Sequence, residues 1–92
     1  MISREIKVLI VGLEAIDFGL VDQMDDVTRE ATLRRLERIV DYAADLGIDT
    51  QAGDLAIRYF LTDSQKSRTY LYGPTDIQDG VGFVEQLRSV VS

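Results

Sequence analysis

Apolar and polar positions follow two different periods along this chain, and one run shows no period at all. Residues 6–12, Ile-Lys-Val-Leu-Ile-Val-Gly, are rich in β-branched side chains and predict a strand. Val8 to Val11 are apolar without interruption, so both faces of that strand are expected to be buried at the centre of a sheet. Residues 13–24 admit two readings. Leu13, Ile16, Leu20 and Met24 line one helical face, whereas Ile16, Phe18 and Leu20 line one strand face. The strand is favoured, because Gly19 inside a helix costs about 1 kcal/mol relative to alanine. Gly12 to Ala15 can serve as the hairpin connection.

The helical period is plain over residues 26–46, where Leu33, Leu36, Ile39, Val40, Ala43 and Leu46 form one stripe. Asp25 or Asp26 can cap its start, Glu30 stands four residues before Arg34, and Gly47 suits its end. Residues 54–62 alternate, with Leu55, Ile57, Tyr59 and Leu61 on one side and Ala56, Arg58, Phe60 and Thr62 on the other. A polar connection at 63–67 and a returning strand at 68–72 complete an expected hairpin, stopped by Gly73-Pro74. Thr75 to Gln78 has capping-box spacing, and Ile77, Val81, Val84, Leu87 and Val91 supply a second helical stripe.

These elements predict an α+β fold in a single domain over residues 1–92. It is a mostly antiparallel four-stranded sheet with two helices on one face, in ββαββα order. If residues 13–24 are helical, the order becomes β-α-α-β-β-α. The two helical stripes echo one another at Leu36–Val40 and Leu87–Val91, which shared packing requirements explain without duplication.

Composition narrows the chemistry. The chain has 92 residues, with 16 acidic against 10 basic side chains, a net charge of −6, and no His, Cys or Trp. Without Cys there are no disulfides, thiolate nucleophiles or zinc–sulfur sites. Without His the usual general base and metal ligand are missing, and His-dependent triads are excluded within one chain. An intrinsic metal site would need oxygen ligands. The acidic excess opposes nucleic acid and anionic membranes as partners. The longest pure apolar run is far short of a membrane span, and a cytoplasmic location is the expectation. No cofactor is expected.

Four features carry candidate chemistry. Asp22, Asp25 and Asp26 form the densest carboxylate group and are weak candidates for a hard divalent cation. Their spacing matches no calcium loop, and helix capping accounts for them more simply. The glycines of residues 11–19 match no phosphate-binding motif, and Asp17-Phe18-Gly19 copies a kinase tripeptide without any other kinase signature. Arg29, Arg34, Arg35 and Arg38 could dock an acidic partner, although Glu30, Glu37 and Asp41 balance them. The expected hairpin is the leading candidate. Arg58, Phe60, Tyr70 and Tyr72 would meet on the open sheet face and form an interaction surface. The function so expected is a small acidic cytoplasmic protein-interaction or regulatory module, non-catalytic and self-associating through a sheet face or edge. The alternative is a divalent-metal-dependent phosphoryl-transfer or nuclease-like enzyme, with carboxylates assembled at a dimer interface.

Overall fold

The computed structural model describes residues 2–77 and 80–91. Among the described residues five α-helices follow one another: α1 (Ile2–Glu14), α2 (Asp26–Asp45), α3 (Gln51–Tyr59), α4 (Ser64–Tyr72) and α5 (Phe83–Val91). A 3-10 turn, Val21–Gln23, precedes α2. Among the described residues there is no strand. The expected α+β fold with its four-stranded sheet is therefore corrected to an all-helical one.

Residues 6–12 lie inside α1, not in a central strand. Ile6, Leu9, Leu13 and, just past the helix, Ile16 are buried. Their three- and four-residue spacing is that of one helical face. The uninterrupted apolar run over Val8 to Val11 concealed this period. Residues 13–24 are neither the favoured strand nor one helix. Leu13 and Glu14 finish α1, and the chain then turns where Gly19 N donates to Asp17 Oδ1 at 3.0 Å. That aspartate turn is a local alternative to both helix and ladder hydrogen bonds.

The helix expected over 26–46 is α2. Asp25 is its N-cap and accepts from Thr28 N at 2.7 Å. This bonding to Thr28 holds the Asp25 carboxyl below its ordinary value. At the other end Gly47 has φ +80°. Gly47 N donates to Ala44 O at 3.0 Å and Ile48 N to Ala43 O at 3.0 Å. These two bonds make a Schellman ending, and the positive φ is what calls for glycine there.

The expected hairpin is helical too. Asp63 caps α4 through Lys66 N at 3.1 Å, in the segment read as a strand connection. The buried face of α3 is small, comprising Ala52, Gly53 and Ala56. A Cβ on Gly53 would come within 2.9 Å of Val40 Cγ2 and 3.3 Å of the Phe83 ring. α3 therefore lies close between α2 and α5. Buried Ser67 of α4 donates to Ala56 O at 2.6 Å. That oxygen is among the last four carbonyls of α3, which have no partner within their own helix.

α5 begins at Phe83, later than the capping box at Thr75 implied. Gln78, the closing residue of that box, lies outside the described residues, as does the side chain of Val91. Thr75 Oγ1 instead accepts from Ile77 N at 3.2 Å, a local turn. Phe83, Val84 and Leu87 bury the inner face of α5. α5 packs against α1 and α4, and α2 packs against α1 and α3. The principal extents are 36 × 27 × 17 Å. A thickness of 17 Å admits about two layers of helix, so every helix keeps one face outward.

Candidate functional site

The four residues expected to share a sheet face are not brought together. Arg58 is exposed on α3. Phe60 is fully buried, and its ring meets Phe18 edge to face at 5.9 Å and 78°. Tyr70 is buried, stacks on Tyr59 at 5.9 Å, and donates to Asp76 Oδ1 at 3.0 Å. Tyr72 is half-buried and donates to Leu13 O at 3.3 Å, with Arg68 over its ring at 5.4 Å. A helix turns residues two apart by about 200°, so Tyr70 and Tyr72 leave α4 on opposite sides. In place of one aromatic face there are separate structural contacts.

The tyrosines do set an alkaline limit on the fold. Hydrogen bonding to Asp76 raises the Tyr70 hydroxyl above its ordinary value, and burial raises that of Tyr72. A raised folded-state value means that the folded protein holds the proton more tightly than the unfolded chain. The stabilisation is complete below the unfolded value of about 10 and is lost as pH rises through the folded values. Absorbance titration at 295 nm should therefore show late-ionising tyrosines, with the melting temperature falling above about pH 10. A melting temperature flat across that range would contradict these contacts.

Of the three weak metal candidates, Asp22 is exposed in the 3-10 turn and the other two are engaged otherwise. Asp25 caps α2, and Asp26 Oδ1 accepts from Arg29 Nη1 at 3.2 Å. Among the described residues no three His, Cys, Asp or Glu side chains gather as a metal site would require. Arg29 is not a docking residue of the α2 face. It donates through Nε to Val21 O at 3.1 Å and through Nη2 to Met24 O at 2.8 Å, fastening the 3-10 turn to α2. Arg34, Arg35 and Arg38 are exposed, and Arg34 lies 3.7 Å from Glu30.

The surface that stands out is the outward side of α1. Val8 is 65% exposed and Val11 67% exposed, in the middle of the most apolar run of the chain. With Arg4 and Ala15 they stand at positions 4, 8, 11 and 15, all exposed, opposite the buried stripe. This four–three–four spacing forms a straight seam along a helix. Beside it Tyr42 of α2 is 44% exposed and, with Arg4, Glu5, Val8 and Leu9, lines a shallow apolar groove. The Glu5 carboxylate raises the Tyr42 hydroxyl above its ordinary value, which puts the two groups in one field. Fully burying one valine is worth roughly 1.5 kcal/mol, and the single chain leaves most of that unrealised at both positions. The sequence carried this signal in the demand of Val8 to Val11 for burial on both faces. The element that carries it is a helix and not the expected strand.

None of the described helices is long and apolar enough to cross a membrane. Compared with protein-family models, with curated proteins and with solved structures, the chain matches none.

Proposed function

We propose that this protein is a small acidic, non-catalytic protein-interaction module of the cytoplasm that docks a protein on the outward face of α1. One observation carries the reading. A surface helix is ordinarily apolar on one face, and a helix apolar all round is ordinarily covered all round. α1 is apolar on both sides through Val8 to Val11, and its own fold covers only one side. The site chemistry agrees, since the groove beside Tyr42 offers apolar walls with Arg4 and Glu5 at its rim. An apolar centre with a charged rim is the composition of docking surfaces.

A photo-crosslinking amino acid placed at Val11 tests this directly. The expected result is one adduct of defined mass from position 11 and none from position 35 on exposed α2. Equal labelling from both positions, or none from position 11, would count against the α1 face.

A further inference from the structure

We infer that the partner on this face is a second copy of the chain, with the two α1 helices antiparallel across a two-fold axis near Val8 and Val11. The inference rests on the α1 docking face described above and adds the occupant and its register.

The register comes from charge placement. Lys7 and Glu14 are exposed, seven residues apart, and lie on the same edge of the Arg4–Val8–Val11–Ala15 seam. Two copies side by side in the same direction would set Arg4 on Arg4 within the seam, while Lys7 and Glu14 would face the opposite edge of the partner and not each other. Like charges in contact oppose that arrangement. Reversing one copy sets Val8 on the partner's Val11 and Val11 on the partner's Val8. The midpoint of Lys7 and Glu14 falls within one residue of the midpoint of Val8 and Val11, about 1.5 Å of helix rise. Lys7 of each copy then reaches the partner's Glu14, twice by symmetry, as a two-fold interface requires.

The other edge of the seam also fits. There Glu5 faces the partner's Gly12, so no like-charged side chain opposes it. Arg4 lays its aliphatic stem over the partner's Ala15. Within its own chain Glu14 accepts from Arg88 through Oε1 at 2.6 Å, and a carboxylate has a second oxygen for Lys7. Among the described residues Lys7 has no ion-pair partner of its own. The shared seam is short, about three helical turns, and a dissociation constant of about 10–100 µM is expected.

Sedimentation equilibrium of the whole chain, from about 5 µM to about 1 mM, reads the result. Wild type should pass from monomer to dimer, and Val8→Glu should remain monomeric because it places a charge in the seam. Lys7→Glu sets Glu against Glu and Glu14→Lys sets Lys against Lys, so each alone should associate about tenfold more weakly. An equimolar mixture of these two variants restores both opposite-charge contacts and should recover wild-type affinity within about threefold. Among the described residues Val8 and Lys7 take part in no ion pair within the chain, whereas Glu14→Lys also loses the Arg88 contact. Glu14→Gln, which loses that contact without reversing the charge, is the control for it, and circular dichroism checks that each variant stays helical. A wild type monomeric throughout, a dimer indifferent to Val8→Glu, or a mixture no tighter than its components would each overturn the inference. A monomeric chain that still forms the position-11 adduct with a different protein overturns self-pairing and leaves the docking face standing. Loss of that adduct removes both.

Discussion

Phe60→Ala is expected to cost about 3–5 kcal/mol of folding free energy, the range for emptying a buried phenylalanine site. Phe60 has no exposed surface and closes α3 against Phe18 from the loop after α1. Its removal leaves a cavity beside a second buried ring, and rigid neighbours fill such space only in part. A domain of this size holds about 5–10 kcal/mol in total, so the variant should be close to unfolded. Urea denaturation would show this as a lower midpoint at nearly constant slope. Phe60→Leu retains most of the volume and should cost less than about 1.5 kcal/mol. The measurement also decides between two folds. On an open sheet face, Phe60→Ala would move stability by no more than about 0.5 kcal/mol.

Gly82→Ala should be the next most damaging change, at roughly 3 kcal/mol, because the added methyl has nowhere to go. Its Cβ would lie 2.6 Å from Gly73 N, 2.6 Å from Leu71 O and 2.7 Å from Tyr72 C. All three are backbone atoms, so no side chain can swing aside to make room. Nearby, Gly73 and Gly80 have φ of +74° and +83°, and Thr75 N donates to Gly80 O at 2.9 Å. The connection from α4 to α5 is thus backbone laid on backbone. The melting temperature should fall by about 15 °C. Gly47→Ala is the comparison, since a Cβ at Gly47 meets nothing within 4 Å and only its φ of +80° opposes substitution. That variant should lose about 5 °C, corresponding to about 1 kcal/mol of backbone strain. Equal losses at the two glycines would mean that residues 71–73 do not press on Gly82.

What could be read in the sequence followed helix length. α2 has 20 residues, enough turns for its stripe to show, and both its aspartate cap and its glycine ending are visible in one dimension. α3 and α4 have nine residues each. Over so few positions a helical stripe and a strand alternation share most of their members. Leu55, Ile57 and Tyr59 supplied a convincing alternation, yet none of them is the main buried group. Ala52, Gly53, Ala56 and Phe60 are, and the first three are so small that they give no apolar stripe although they are the means of close helix packing. Asp63 before Ser64 was the missed signal, a cap read as part of a connection. In α1, β-branched residues pointed to a strand, and tertiary burial of Ile6, Leu9 and Leu13 overrode that preference. Aromatic residues favour interfaces, yet Phe60, Tyr70 and Tyr72 go to the core and to hydrogen bonds, while Val8 and Val11 stay exposed.

The contact between α1 and α5 has a consequence for how this chain can fail. Phe83, Val84 and Leu87 cover the inner side of α1, and Arg88 ties the two helices together at Glu14, 74 residues away in sequence. Val8 to Val11 has no charge, no proline and mostly β-branched side chains, the composition of segments that stack between chains as cross-β. The segment is harmless while it is wound as a helix, because its backbone groups are then spent on one another. Detachment of α5 would remove that protection and free the N–H and C=O groups of a sticky strand at one stroke. The packing of α5 on α1 therefore also helps to hold this run in its helix. The property that makes this run look like a strand on paper is the property that the fold must keep suppressed.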